Sequence, residues 1–435
     1  GETRARVPHA YQHSTVVTAS ARLSRQLRRD YDADRRREGL WVWESADILP
    51  RGAWIERLWQ EQVYRDPVHT PVLLSRLQEQ ALWEQAVEQS GADVLLDLPA
   101  TAATAARAWD LLHSYEVRID PSEFAGLRDA EAFLDWYRFV EKRLWEQDWI
   151  TAAQLPKALA ANISRAALPR PVTYAGFDEI TPVDRRLFAA CGAAIVETPA
   201  VRSNASRIAC GSATDELLQA AWWARRFLEG NPGARLGIAV RGLAERTAIA
   251  ERIFDDVLHP GLSFARADNG RAFQVPAGAS AAEVPMIAAA LGVLRLKTRI
   301  PLAEAEMLLR SPYLGLERSG AAALAVELRR QGVDLVSLNV GIVRQAFSAF
   351  AKAADSLRAR QNPSEWSADF SELLLRAGWP GTRPLSAEEQ DALEQWKQML
   401  SDFASLDRVL PRITYGEALS RLRRIARDQH LSSGN

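Results

Sequence analysis

The sequence predicts an α/β protein in which α/β segments alternate with long, mainly helical ones. Three observations carry this. Short β-branched or aliphatic runs each precede an amphipathic helix near the N-terminus and again between Val172 and Leu258. Apolar residues recur at spacings of three and four from Leu73 to about Leu159 and from Val284 onward, as in Phe133, Trp136, Phe139 and Val140. Breaks such as Gly230-Asn231-Pro232-Gly233 separate helices from strands.

Composition bounds the function classes. With 435 residues, 47% of them hydrophobic, the chain has apolar material for several cores. Lys plus Arg number 54 against 55 Asp plus Glu, so any nucleic-acid surface must be local rather than a global basic field. No run approaches the roughly 18 apolar residues of a membrane span, and the first residues, GETRARVPHAYQHS, lack the apolar stretch of a signal peptide. The expected location is the cytoplasm, with no membrane partner. Cys191 and Cys210 stand apart without CxxC spacing and the six histidines are scattered, so neither zinc nor a disulfide is expected.

In chain order, Ser14 to Thr18 reads as a strand, Ser20 as an N-cap, and ARLSRQLRRDYDADRRR as an Arg-rich helix. This is the strand, turn and helix order of a phosphate-binding loop. The turn, Thr18, Ala19, Ser20, Ala21 and Arg22, has neither the glycines that let backbone N–H groups converge on phosphates nor a lysine to meet their charge. Gly39 to Trp43 (GLWVW) reads as a second strand, and Ser45 to Pro50 as a turn into a helix starting near Trp54. A helical block follows, and the nine tryptophans before residue 150 read as its packing rather than as base-stacking platforms. Val172 to Phe177 is a strand ending at an acidic pair, Asp178 and Glu179, with Thr181-Pro182 opening the next helix and Ala194 to Glu197 a further strand. Arg207 to Cys210 and Leu236 to Arg241 read as strands alternating with the helices Thr214 to Glu229 and Leu243 to Leu258, the signature of a parallel sheet. The remainder is helical.

The segments VVTASARLSRQL, LLSRLQEQALWE, AGFDEITPVDRRLF and DELLQAAWWARRFLEGNPGARLGIAVR, in this order and spacing, resemble the superfamily 1 helicase-related proteins of bacterial recombinational repair. The resemblance is to the AddB and RecC type, including the "probable DNA repair protein" group in which a helicase-like region precedes a PD-(D/E)XK nuclease. It implies two RecA-like (P-loop NTPase-like) domains, each with a mainly α-helical insertion. Residues 1–62 and 166–202 would form the first, 63–165 its insertion, 203–275 the start of the second and 276–435 the second insertion. In active members the second acidic motif resembles DEFQDTNP. Setting its final Pro on Pro182 puts the metal-binding Asp-Glu pair at Ala175 and Gly176, with Asp178 and Glu179 three residues on.

The resemblance therefore implies a degenerate nucleotide site, with no catalytic residue, no metal and no cofactor in this chain. The other reading of Asp178 and Glu179 is that they hold a metal by themselves. Relatives continue into a nuclease domain beyond the point matching Asn435, so the chain is expected to be a fragment or a shortened product. Arg22, Arg25 and Arg29, on one helical face, and Arg241, ending an apolar strand, are candidate nucleic-acid contacts. The bland alternative for the first three is a solvated face balanced by Asp30, Asp32 and Asp34. The expected function is a non-hydrolysing DNA-binding scaffold of a repair and recombination nuclease system. Its partners would be single-stranded or duplex-end DNA and a helicase or nuclease partner, or the C-terminal nuclease domain that relatives carry. The alternatives are a protein-interaction module positioning such a partner, or an active ATP-dependent helicase.

Overall fold

A computed structural model describes residues 14–90, 97–124, 126–163, 168, 170–196, 205–260, 272–275 and 280–429. The chain is a mixed α/β protein, mostly helical, with a small parallel sheet. It divides into two compact units between Arg202 and Ser203, the short segment Arg408–Leu410 counting with the first.

The first unit is built on β1 (Thr15–Thr18), β2 (Ile48–Pro50), β5 (Val172–Ala175) and β6 (Ala194–Val196), in the order β2-β1-β5-β6 and all parallel. Val16 lies beside Ile48, and Thr18 lies beside both Pro50 and Ala175. A parallel sheet covered on both faces needs apolar residues at successive positions, and the ValVal pair of β1 supplies them. Val17 and Tyr174 face one core with Trp54, Leu187 and Phe188, whereas Val16, Ile48 and Ala175 face another with Leu27. Helix α1 (Ala21–Arg37) covers the second face. Helices α2 (Arg51–Arg65), α7 (Leu155–Asn162) and α8 (Pro182–Ala190) cover the first.

Between α2 and α7 the chain leaves the sheet for a helical block. A two-stranded parallel ladder, β3 (Val72–Leu73) with β4 (Trp149–Ile150), closes its root. Helices α3 (Arg76–Gln89), α4 (Leu98–Ser114), the short α5 (Pro121–Phe124) and α6 (Arg128–Glu146) make up the block. Trp83 and Trp109 are fully buried within it, their rings 5.8 Å apart edge to face, and Trp109 Nε1 donates to Thr151 Oγ1 at 3.0 Å.

Two sequence expectations are corrected here. Gly39 to Trp43 is not a strand. The strand is Ile48–Pro50, inside the segment read as a turn. Trp41 and Val42, β-formers like Ile48, stand 95% and 88% exposed, whereas Ile48 is wholly buried and pairs with Val16. Propensity yields to the position that can be buried against a ladder. The packing role expected of the early tryptophans holds for Trp54, Trp59, Trp83, Trp109 and Trp149, which are buried, but not for Trp41 or Trp145.

The second unit begins with α9 (Ala213–Gly230) and α10 (Leu243–Leu258), which pack through Leu217, Ala221, Ile253, Phe254 and Val257. Arg207 to Cys210 and Leu236 to Arg241, expected as strands, join no ladder among the described residues. The first is exposed throughout. The second keeps a strand's alternation, with Leu236, Ile238 and Val240 half-buried between exposed neighbours, but has no described strand beside it. Alternation makes a strand only when an edge is present to receive its N–H and C=O groups.

Helices α11 (Pro285–Arg295), α12 (Leu302–Leu309), α13 (Arg318–Arg330), α14 (Gly341–Ala346), α15 (Ser348–Asp355), α16 (Pro363–Arg376), α17 (Ala387–Ala404) and α18 (Tyr415–Asp428) complete this unit. Two small antiparallel ladders, β7 (Ile300–Pro301) with β8 (Leu335–Val336) and β9 (Arg360–Gln361) with β10 (Ile413–Thr414), link them. Buried aromatics here find partners for their polar atoms. Trp366 Nε1 donates to Ile413 O at 2.9 Å, Trp379 Nε1 to Met286 O at 3.0 Å and the Tyr415 hydroxyl to Leu294 O at 2.6 Å. Capping boxes at Asn362, Ser386 and Thr414 start α16, α17 and α18.

Candidate nucleic-acid interface at the strand ends

In a parallel sheet the crevice for ligands opens at the carboxyl ends of the strands, where the order reverses direction. In the first unit that point lies between β1 and β5, and most of the candidate residues converge there. Thr18 is fully buried, its hydroxyl 2.9 Å from Ser20 O and 3.4 Å from Leu49 O. Only Ala19 and Ser20 separate β1 from α1. The Ala19 N–H donates to Ala175 O at 3.3 Å, closing the turn onto the end of β5. The Ser20 hydroxyl accepts from the Leu23 N–H at 3.2 Å, so one of the helix's first N–H groups is satisfied from within the chain.

Gly176 follows β5 with φ +72, and a Cβ there would overlap Cδ2 at the end of the Leu23 side chain. The first turn of α1 thus rests its leucine against the glycine just after β5. Ala175 is buried with Val16 and Ile48. A triphosphate with its magnesium needs a glycine-rich cradle, a lysine and a carboxylate. A two-residue turn capped by serine, an alanine in the core and a leucine over a glycine do not fit that group.

The acidic pair lies just beyond. Asp178 and Glu179 are exposed, and Glu179 Oε1 accepts from the Tyr115 hydroxyl at 2.7 Å. Next to it Arg186 of α8 pairs with Glu116 at 2.8 Å, so the end of α4 holds both the loop before α8 and α8 itself through polar contacts. Among the described residues no group of three or more His, Cys, Asp and Glu side chains is placed to hold a metal ion.

Arg22, Arg25 and Arg29 are all exposed on α1. None of them forms an ion pair with a described residue, and Arg25 reaches only the carbonyl of Ala21, at 3.4 Å. Two of the three aspartates that could balance them have other partners. Asp32 accepts from Trp43 Nε1 at 2.8 Å and Asp34 pairs with Arg37. Arg28, alongside, donates to the carbonyl of Ile48. Arg241 belongs to the second unit, exposed and just before Gly242, which starts α10 with φ +66.

Comparison with protein-family models and with curated proteins finds no match to this chain.

One ion pair at this edge has no local sequence signal. Arg51, opening α2 directly after β2, holds Asp184 of α8 through contacts of 2.6–2.9 Å from two of its nitrogens. Asp184 is 5% exposed and also sits in the first turn of a helix capped by Thr181. The partners are 133 residues apart, and only the parallel pairing of β2, β1 and β5 brings their following helices together.

Proposed function

We propose that this chain is a helicase-like scaffold that binds single-stranded or duplex-end DNA in a bacterial repair and recombination nuclease system, without hydrolysing nucleotide in this region. The observation that carries the reading is the row of Arg22, Arg25 and Arg29, exposed and without carboxylate partners among the described residues, on the helix that leads away from the strand-end crevice. Unpaired guanidinium groups on one helix face are free to replace the counterions of a phosphate backbone. The glycine-free, lysine-free turn between β1 and α1 supports the absence of nucleotide chemistry, because ATP would find neither a backbone cradle nor a countercharge there.

The test is a fluorescence-anisotropy titration with a labelled oligonucleotide at several salt concentrations. Binding should weaken with salt, and replacing all three arginines with glutamine should lower the log–log slope by about 2, at about 0.7 per phosphate contact on a single strand. Absence of binding at low salt rejects the proposal.

A second reading, a module that docks a helicase or nuclease partner, is favoured by α9, where Leu218, Trp222, Trp223 and Phe227 stand 38–45% exposed. It predicts that Trp223→Ser removes partner binding and leaves oligonucleotide binding unchanged.

A further inference from the structure

The loop that follows α1 carries an aromatic feature that packing does not explain. Helix α1 ends in a Schellman arrangement, with the Gly39 N–H donating to Arg36 O at 3.0 Å and the Leu40 N–H to Arg35 O at 3.2 Å, Gly39 having φ +82. The turn sends the next residues outward. Leu40, Trp41 and Val42 are 43%, 95% and 88% exposed. Trp43 folds back, its Nε1 bound to Asp32, and the Arg36 guanidinium sits 5.9 Å from its ring centre. A fully exposed tryptophan is thus held on a capped helix end, next to a ring already carrying an arginine.

The same helix supplies the charge. At 3.6 residues per turn, Arg22, Arg25, Arg29 and Arg36 fall within about 60° of one another around the axis, and at 1.5 Å per residue they span roughly 21 Å. All four are exposed and none forms an ion pair with a described residue. A face of guanidinium groups without ion pairs among the described residues, followed in the chain by an exposed indole, combines a path for phosphates with a platform for a base. Both halves are complementary to a single-stranded nucleic acid, whose backbone is anionic and whose unpaired bases offer π faces.

We propose that α1 and its following loop form a single-strand track, in which Arg22, Arg25, Arg29 and Arg36 contact successive phosphates and Trp41 stacks on an unpaired base. This rests on the DNA-binding reading above and adds the residue that distinguishes single from double strands.

The test uses the full chain and a fluorescein-labelled oligothymidylate, with an abasic oligonucleotide of equal length as the second ligand. Trp41→Ala should weaken binding to oligothymidylate between about fivefold and a hundredfold, the range for losing one stacked base. Trp41→Phe should restore most of the affinity. The salt slope should be unchanged by Trp41→Ala and should fall by about 0.7 for each arginine replaced by glutamine. Both the wild type and Trp41→Ala should bind the abasic strand equally. Because Trp41 is 95% exposed, urea denaturation of Trp41→Ala should match the wild type. If the arginine variants lose affinity while Trp41→Ala binds oligothymidylate as the wild type does, the track is wrong and the DNA-binding reading survives. If the wild type binds no oligonucleotide, both fail. Trp41-dependent sedimentation with phosphatidylserine vesicles, without binding to oligothymidylate, also overturns the track.

Discussion

Gly176 and Leu23 define the strand-end crevice more sharply than any charged group there. The positive φ of Gly176 is costly for an L side chain, and a Cβ there would also make the end of the Leu23 side chain shift. Gly176→Ala should therefore destabilise the first unit by about 1–2 kcal/mol, read from the urea midpoint, and an unchanged midpoint would show that the turn relaxes freely. Arg51 and Asp184 pose the opposite problem, because here the side chains must be present together. Removing Arg51 leaves the Asp184 carboxylate buried without its cation, so Arg51→Ala should cost about 3 kcal/mol by the same measurement. Arg51→Lys should recover only part of this, since an ammonium cannot reproduce the planar fork that meets both carboxylate oxygens.

In the helical block of the first unit, α3 and α4 bury titratable groups with opposite pH behaviour. Burial, reinforced by the neighbouring Asp110 charge, pushes Glu79 from its ordinary 4.5 up to about 7, and its Oε1 has no hydrogen-bond partner among the described residues. Burial, with Lys157 adding to it, pushes His113 from 6.5 down to about 4. The folded protein binds the Glu79 proton more tightly than the unfolded chain does, so this contribution is present in full below about pH 4.5 and is lost as pH rises through about 7. The folded protein binds the His113 proton less tightly, so stability falls as pH drops from about 6.5 towards 4. Glu79→Gln isolates the first effect. The stability of the variant relative to wild type should rise between pH 5 and pH 8 by about 3 kcal/mol, as the charge it removes would have formed. Urea denaturation at several pH values measures this, and a flat difference would mean that Glu79 is hydrated or paired when ionised.

For the chain in its entirety, charge balance hides the local asymmetry of α1. The totals of 54 and 55 would suggest no polyanion surface, yet the arginines of one helix face stand without ion pairs among the described residues. The same holds for nucleotide chemistry, which depends on one turn rather than on the presence of an α/β core. A ligand that binds only the folded state raises its melting temperature, so about 5 mM magnesium-ATP should leave the melting curve unmoved if the strand-end crevice takes no nucleotide. Asp178→Ala and Glu179→Ala should leave any background phosphate release unchanged. A thermal shift with ATP, abolished by either variant, would reinstate the acidic pair as a metal site.

Local chemistry was readable in advance wherever a few neighbouring residues suffice. The strand Thr15–Thr18, the Ser20 cap, the Arg-rich helix and the strand at Val172, expected to run to Phe177 and ending at Ala175, follow from β-branched runs, a hydroxyl at the right place and apolar spacing. The glycine-poor turn was equally plain. What the residue order left open was every choice that depends on a distant partner. Ile48–Pro50 becomes a strand instead of Gly39 to Trp43 because Val16 waits beside Ile48. Arg207 to Cys210 and Leu236 to Arg241 lack a described ladder to join. Leu23 meets Gly176, and Arg51 meets Asp184, only after β1, β2 and β5 align in one sheet. Propensity and capping act over a few residues along the chain, whereas burial and ion pairing act through space. For that reason the elements could be named from sequence, while the filled crevice and the exposed arginine face required the assembled fold.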